Sequence, residues 1–431
     1  MPISLRWRSA DELRADPQLS KVSARSGPWR LRGLLCGLWL AVAAVPALAQ
    51  FVPEQARVET LADHRDQHWF WIWGSNAPNM VDGRAYLFAD DGRNLGQVST
   101  GMWTNGLVFS QRRDEFYASE IYFSRGVRGT RSDVVTVYDT RTLSPKREIA
   151  IPPKRMTALI STGLSVLSDD ERFLLVLNFT PAQSISVVDL EHDRFVGEVA
   201  IPGCASIYPA GPRDFYSICG NGGFFHLRLD DNGQVALQER TAPVFDPVRD
   251  ALLTTASRQG DTWYFVSQHN DAYGLRMTAK GVEAKQHWSL LSDSERADGW
   301  GVAGNHGTAV HERSGRLFVL MHQDKPENYQ KPGTEVWVFD TRTQKRLARI
   351  ELNEQSTAIG VSQGERPRLY SLDWIVPMPS LLTVWIYLTE GDKGLNPLLR
   401  QGINLYDADS GKHLRSIGDI PLGFLNVVAP W

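Results

Sequence analysis

The hydrophobic and polar positions of residues Arg131–Pro152 repeat with the period of two that is typical of β-strands. Val134–Asp139 alternates between two faces, which predicts a first strand. Asp139–Thr142 supplies polar turn residues, and Lys146–Ile151 begins a second strand that ends before a pair of prolines. The stretch therefore predicts a β-hairpin. The same pattern recurs in Tyr86–Val98, Ser186–Val199, Trp337–Ile350 and Asn404–Ile417.

These hairpins recur at a regular interval, measured between the aspartates that end their first strands. The first two intervals are 49 and 50 residues, and the third is 151 residues, close to three further repeats. Two weaker hairpins, near Asp230 and Thr278, fill the long interval and bring the count to seven. A β-rich repeat of roughly 40–50 residues favours an all-β fold, a seven-bladed β-propeller. The alternative is a large β-sandwich with accidental self-similarity. The aspartates are Asp90, Asp139, Asp189, Asp340 and Asp407.

The N-terminal residues resemble an export signal. A basic stretch precedes the apolar run Gly33–Val45, and Ala47-Leu48-Ala49 offers the small residues that signal peptidase requires. We therefore expect residues 1–49 to be a signal peptide and the mature protein to be periplasmic. The alternative is a retained membrane anchor, although the apolar run is short for a bilayer span of about 20 residues. The long leader leaves the position of the start codon open.

The cysteines support export. Cys36 would leave with the signal peptide, and the mature chain would keep only Cys204 and Cys219. An even pair in an exported protein favours a disulfide, here between neighbouring strands of the fourth blade. Closing a loop of this length stabilises a fold by about 3 kcal/mol in the chain-entropy model. The alternative is two free, buried thiols.

The remaining chain divides unequally. Residues 50–75 are aromatic and polar without clear periodicity, and we expect an N-terminal arm there. Residues 76–431 should form the propeller, with an insertion at about 371–401, because the last interval between hairpins is 67 residues. Ser292–Trp300 predicts a short helix, and Gly220–Gly223 predicts a turn rather than a phosphate loop.

Composition and motifs restrict the function. The net charge is −3, and no basic stripe exists that could neutralise the phosphates of a nucleic acid. The sequence lacks the motifs of serine hydrolases, phosphate-binding loops and zinc peptidases. His64 and His68 would share a helical face but have no third ligand, and His322 follows a strand and fits a hydrogen-bonded loop residue. We therefore predict no catalytic, cofactor-binding or metal-binding residue on this chain.

Several strings occur together in one order and resemble the heavy subunit of quinoprotein amine dehydrogenases, closer to the aromatic amine type than to the methylamine type. The resemblance extends from about Tyr86 to Tyr370 and returns at the last hairpin. The strings are Ser124–Gly126 with Arg131–Val135, Ile151–Arg155, Pro181–Leu190, Gly203-Cys204, Ile218–Gly223, Trp288–Trp300, His311–His322 and Glu335–Ile350.

The resemblance implies a seven-bladed propeller that binds a small light subunit in a complex of two heavy and two light chains. The light subunit would carry tryptophan tryptophylquinone, which oxidises a primary amine to an aldehyde and ammonia. Electrons would then pass to a periplasmic cupredoxin of the azurin or amicyanin type. Since the quinone and the base belong to the light subunit, the heavy chain would need no catalytic group.

The family's heavy subunit also contributes an aromatic residue to the substrate channel. The corresponding loop here is Thr100–Gly106, and the family's phenylalanine is replaced by Trp103 or Met102. The alternative for both residues is ordinary packing. Two other functions remain open: a stand-alone periplasmic propeller that binds a ligand or a protein, and a propeller hydrolase with a central metal, for which no ligand set is identifiable.

Overall fold

The computed structural model describes residues 59–63, 67–76, 80–103, 106–155, 157, 161–375, 389, 400–420 and 423–430, and these residues contain 28 strands. All these residues belong to one compact unit, Val58–Trp431. The predicted signal peptide, His64 and most of the predicted insertion lie outside the described residues. The first fifteen strands in chain order are β1 Phe70–Asn76, β2 Gly83–Phe88, β3 Asn94–Gly101, β4 Gly106–Phe109, β5 Glu115–Phe123, β6 Arg131–Asp139, β7 Pro145–Ile151, β8 Ser165–Leu167, β9 Phe173–Asn178, β10 Ser184–Asp189, β11 Arg194–Ala200, β12 Cys204–Pro209, β13 Asp214–Cys219, β14 Phe224–Leu229 and β15 Val235–Arg240. The others are β16 Ser257–Gln259, β17 Thr262–Val266, β18 Asp271–Thr278, β19 Gly281–Ser289, β20 Trp300–Val302, β21 Thr308–His311, β22 Arg316–Gln323, β23 Gly333–Asp340, β24 Arg346–Val361, β25 Arg368–Ile375, β26 Arg400–Asp407, β27 His413–Ile420 and β28 Gly423–Val428.

The predicted hairpins are confirmed, and the recurring aspartate explains their shape. In the hairpin of β6 and β7, Asp139 Oδ1 accepts hydrogen bonds from the backbone N–H groups of Arg141 and Thr142, at 2.9 and 2.8 Å. Asp340 makes the same two contacts in the hairpin of β23 and β24. A short carboxylate that satisfies the turn's own N–H groups stabilises the reversal of the chain. The other predicted hairpins are β2–β3, β10–β11, β14–β15, β18–β19 and β26–β27.

The strands form four-stranded antiparallel groups. Three groups are separate sheets, namely β8–β11, β12–β15 and β16–β19. One larger sheet joins β28, β1, β2 and β3 to β4–β7, and its halves meet only where Gly101 pairs in parallel with Ile121. The other larger sheet joins β20–β24 to β24–β27 through the sixteen-residue strand β24, which pairs with β23 along its first part and with β25 along its second. The described chain is thus nearly all-β, which is consistent with a β-propeller.

Burial follows the order of strands within a group. The second and third strands are the most buried ones, as in β9 and β10, where every residue is buried. The fourth strands are largely exposed, as in β15. Apolar side chains on both faces are the expected pattern for strands covered by neighbouring sheets on each side, whereas an edge strand keeps one face in water.

Two smaller predictions are also confirmed. Helix α1, Asp293–Ala297, begins after Ser292, whose hydroxyl accepts from the Glu295 N–H while the Glu295 carboxylate accepts from the Ser292 N–H. This capping box satisfies two N–H groups that a helix start leaves unpaired. Cys204 and Cys219 form a disulfide between directly paired positions of β12 and β13, in the fourth group.

The predicted boundaries of the arm and the insertion coincide only partly with the strands. Strand β1, within the predicted arm, is buried and pairs with β2 and with the C-terminal strand β28. Ser371–Ile375 lies in β25 and pairs with β26, so these residues are part of a regular sheet. The apolar stretch after Ile375 lies outside the described residues. No helix in the described part of the chain is long and apolar enough to cross a membrane.

Candidate functional site

The predicted channel loop, Thr100–Gly106, starts at the end of β3, whose last residue is Gly101. Gly101 has φ +74°, and a Cβ atom added there would lie 2.3 Å from the Ile121 carbonyl oxygen. The next residue, Met102, donates its N–H to that same oxygen at 2.8 Å. Only glycine combines this positive φ with so close an approach to a neighbouring backbone. The loop is therefore fixed at its base against β5.

Trp103 continues the loop in the left-handed region, with φ +66°. Its N–H donates to the Met80 carbonyl oxygen at 2.8 Å, and Met80, itself buried, also has a positive φ of 52°. Non-glycine residues adopt this conformation at a cost of about 1–2 kcal/mol, so the surrounding contacts must hold it. Met102 and Trp103 are both partly exposed. That either lines a substrate channel stays a prediction, and residues 104 and 105 lie outside the described chain.

Strand β5, to which the loop is anchored, contains a buried carboxyl group that sequence reasoning missed. Glu120, in β5, has no exposed surface, and its carboxylate accepts hydrogen bonds from Thr136 Oγ1 at 2.5 Å, Tyr122 OH at 3.0 Å and Tyr138 OH at 2.9 Å. Burial raises the pKa of Glu120 to about 7, although the three hydroxyl groups favour its charged form. Both tyrosine hydroxyls also lie within reach of the Ser99 carbonyl oxygen, at 3.4 and 3.2 Å.

A buried arginine stands on the other side of the same strand pair. Arg155 is almost wholly buried, and its Nε donates to Ser119 Oγ at 2.7 Å. Its backbone N–H donates to Asp133, which also binds Arg131 through both carboxylate oxygens, at 2.6 and 2.7 Å. Burial lowers the pKa of Arg155 to about 10, while the charges of Asp133 and Glu120 oppose that shift. Buried groups of both charge signs therefore contact β5 and β6, the strand pair that includes the loop's anchor Ile121.

Two adjacent cavities lie where the first strands of the groups meet. The larger, about 480 Å³, is lined mainly by apolar residues of β4, β8, β12 and β28, and the smaller, about 220 Å³, is lined by residues of β16, β21, β24 and β28. Glu171 borders the larger cavity and is held by Ser110 Oγ and the Gln111 N–H. His306 borders the smaller one, and burial lowers its pKa to about 4, so it is neutral.

The described residues do not supply an evident catalytic or metal site. Their single close group of three metal-ligand side chains contains Asp189, Glu191 and His192. The carboxylate of Asp189 already accepts two backbone N–H groups and pairs with His192, which is the turn geometry of the other hairpins. The prediction that His322 is a loop residue is wrong, because His322 is buried within β22, opposite Gly301. His68 precedes β1 and is not helical.

The described chain is a nearly all-β scaffold with a loop anchored by backbone hydrogen bonds to Ile121 and Met80. Its buried carboxyl groups Glu120 and Asp373 accept hydrogen bonds from neighbouring side chains.

Comparison with known proteins identifies the family. The family model of the methylamine dehydrogenase heavy chain (MADH) matches residues 78–383, well over half of the chain. The chain therefore belongs to the methylamine dehydrogenase heavy chain family. It is 28% identical to the methylamine dehydrogenase heavy chain of Methylophilus methylotrophus over 360 residues, which cover 79% of this chain and 87% of that protein. The heavy chain of Paracoccus versutus is 28% identical over 335 residues, covering 77% and 72% respectively.

The family confirms the predicted class, a heavy subunit of an amine dehydrogenase complex, and implies a light-chain partner. Among solved structures, a functionally unknown protein from Desulfotomaculum acetoxidans has 10% sequence identity and a TM-score of 0.54, and the match covers 84% of this chain and 99% of that one. At this identity the likeness concerns the fold alone.

Proposed function

We propose that this chain is the heavy subunit of a periplasmic complex that oxidises primary amines, with a preference for aromatic ones. Its membership of the methylamine dehydrogenase heavy chain family, over residues 78–383, is the observation that carries the proposal. The overall reaction converts an amine and water to an aldehyde and ammonia and transfers two electrons and two protons to a quinone. A cupredoxin of the azurin or amicyanin type then accepts the electrons one at a time, and the two protons are released.

The heavy chain is proposed to be a seven-bladed propeller. Support comes from the cavities, because the strands that line them are the first strands of seven four-stranded groups: β28, β4, β8, β12, β16, β21 and β24. The pairing of β28 with β1 would close such a ring, since it joins the last strand of the described chain to the first.

The quinone is proposed to reside on the light subunit, in a complex of two heavy and two light chains. Tryptophan tryptophylquinone would supply the electron sink for oxidation of the amine carbon. The described residues of the heavy chain fit a supporting role, because their buried carboxyl groups are held by hydroxyl, amide or cationic neighbours. The heavy chain would bind the light subunit, exclude water and shape the entrance for the amine.

Met102 or Trp103 is proposed to line that entrance. Both are partly exposed, and backbone hydrogen bonds to Ile121 and Met80 hold the chain at these two residues. The aromatic preference rests on the sequence resemblance, whereas the curated relatives carry the name methylamine dehydrogenase. The substrate class is therefore the part of the proposal that needs the most direct test.

The test is a visible absorption spectrum of the complex purified from its native periplasm and titrated with amines. A quinone band that bleaches with phenylethylamine at lower concentration than with methylamine supports the whole proposal. Bleaching with methylamine alone overturns the aromatic preference and keeps the enzyme. A chain that purifies without a light subunit and without visible absorption contradicts the proposal and favours a stand-alone binding propeller.

A further inference from the structure

The end of β3 and the buried Glu120 are connected by a short series of hydrogen bonds. The Ser99 carbonyl oxygen lies two residues before Gly101 and is within reach of the hydroxyls of Tyr122 and Tyr138. The same two hydroxyls contact the Glu120 carboxylate. Glu120 also precedes Ile121 in β5, whose carbonyl oxygen accepts the Met102 N–H. The loop is thus tied to the surroundings of Glu120 at two points.

A count of hydroxyl hydrogens shows that the hydrogen bonds to the Ser99 carbonyl depend on whether Glu120 is protonated. Thr136, Tyr122 and Tyr138 offer one hydroxyl hydrogen each. When Glu120 is a carboxylate, it accepts all three, and no tyrosine hydrogen is left for Ser99. When Glu120 is protonated on Oε1, that group donates its hydrogen to the Tyr138 hydroxyl oxygen, and the Tyr138 hydrogen becomes available to the Ser99 carbonyl. One proton therefore adds one hydrogen bond at the end of β3.

We propose that Glu120 is a positioning residue for the channel loop: through Tyr122, Tyr138 and the Ser99 carbonyl it sets the position of Met102 and Trp103, and thereby the amines that the complex accepts. The substrate part of this inference rests on the proposed function. The coupling of Glu120 to the loop does not, because it concerns only contacts within this chain.

The groups around Glu120 allow its carboxyl group to gain or lose a proton near neutral pH. Burial raises the pKa of Glu120 to about 7, and the negative charge of Glu148, on β7, acts in the same direction. On the opposite side, the positive charge of Arg155 favours the carboxylate, and it also interacts with the negative charge of Asp133. The tyrosines stay neutral, since burial and the charge of Glu120 raise the pKa of Tyr122 and Tyr138 well above the usual range.

Asp373 occupies the same position in the last group of strands as Glu120 does in the second group, and it provides a matched control. Glu115 pairs with the hairpin residue Asp139, and Arg368 pairs with the hairpin residue Asp407. Glu120 and Asp373 each follow five residues later, and both side chains are fully buried.

The carboxyl group of Asp373 differs from that of Glu120 in its neighbours. Burial raises the pKa of Asp373 to about 8, and its carboxylate accepts from Ser371 and from Asn404 Nδ2, not from a group that reaches Ser99. Asp373→Asn therefore removes a comparable buried carboxyl group without touching the loop.

The first test measures amide hydrogen exchange of the heavy chain across pH 6 to 8, expressed as protection relative to the intrinsic rate at each pH. In the wild type and in Asp373→Asn, the Met102 amide should lose about fivefold in protection as pH rises, the value of about one hydrogen bond. In Glu120→Gln, whose amide can donate at every pH, the change should disappear. Equal pH dependence in Glu120→Gln and the wild type would overturn the coupling.

The second test measures kcat and KM of the purified complex for phenylethylamine and methylamine at the same pH values. The ratio of the two kcat/KM values should vary with pH by about tenfold in the wild type, because small displacements near a reacting group change rates strongly. Glu120→Gln should flatten this profile, and Asp373→Asn should not. If the complex is active and the ratio of kcat/KM values has the same pH dependence in all three proteins, the inference that Glu120 affects the choice of amine is contradicted. A complex without quinone absorption contradicts the proposed function. In that case the hydrogen-exchange result alone decides whether Glu120 is coupled to the loop.

Tyr138→Phe provides a second variant if Glu120→Gln folds poorly. The ring would keep its stacking on Phe116, with centroids 4.9 Å apart, and would lose only the hydroxyl. We expect the Met102 amide to show reduced protection at pH 6 and a weaker pH dependence. Unchanged protection in this variant would also count against the proposal.

Discussion

Replacing Gly101 by alanine tests how firmly the channel loop is fixed to β5. The added Cβ would lie 2.3 Å from the Ile121 carbonyl oxygen, so the two backbones must separate by about 1 Å to restore ordinary contact. That separation breaks the 2.8 Å hydrogen bond from the Met102 N–H to the same oxygen. Alanine at φ +74° adds the cost of a left-handed residue.

The two costs can be separated by a matched variant. Gly126, in the connection between β5 and β6, has φ +73°, and a Cβ atom there meets nothing within 4 Å. Gly126→Ala should therefore lower the free energy of unfolding by about 1 kcal/mol, from backbone conformation alone. Gly101→Ala adds the lost hydrogen bond and the displacement of β5, and should lower it by about 3 kcal/mol.

The assay is urea denaturation of the purified heavy chain, followed by tryptophan fluorescence, with the wild type and both variants at one pH. The difference of about 2 kcal/mol between the variants corresponds to a clear shift in midpoint at a similar slope. Equal destabilisation by the two substitutions would refute the reasoning, since it would mean that the contact of Gly101 with Ile121 contributes nothing beyond backbone conformation.

Three further predictions concern the stability of the same chain. Replacing Cys204 and Cys219 by alanine should lower the free energy of unfolding by about 3 kcal/mol, and reduction of the wild type should give the same loss in parallel denaturation curves. Glu120 and Asp373 have folded pKa values raised to about 7 and about 8, so the stability that they contribute is complete below pH 4 and is lost as pH rises through 7 and 8. The double variant Glu120→Gln with Asp373→Asn should remove this fall in the free energy of unfolding, which is roughly 3 kcal/mol or more. An unchanged pH profile of stability would contradict this. Burial opposes the ionisation of Glu115, but its hydrogen bonds with lysine and arginine lower its pKa to about 2, so Glu115→Gln should be less stable than the wild type above pH 4.5 and should lose that disadvantage toward pH 2.

The hairpins and the disulfide could be predicted because their causes are local in sequence. An aspartate whose carboxylate binds the next N–H groups fixes a turn wherever it occurs, as at Asp139 and Asp340. Cys204 and Cys219 could be paired because the predicted export signal and the even count of cysteines indicated a disulfide before any register was known. In the same way, the capping box at Ser292 requires only residues within one turn.

The buried charges could not be predicted, because strands covered on both faces erase the alternation that marks an inward residue. Glu120 stands in a strand whose neighbours are buried on either side, so its position carries no periodic signal. Arg131, Asp133 and Arg155 were within the strings that carried the family resemblance, but nothing in one sequence shows that they meet. The membership of β1 in the first sheet was also missed, because its partner β28 is the most distant strand of the described chain.

The pairing of β1 with β28 has a consequence for biosynthesis. The two strands are separated by on the order of 350 residues of chain, so the sheet that carries the channel loop cannot be completed until β28 has been synthesised. A chain truncated before β28 would leave β1 without its inner neighbour and would expose an unpaired strand edge in the first sheet.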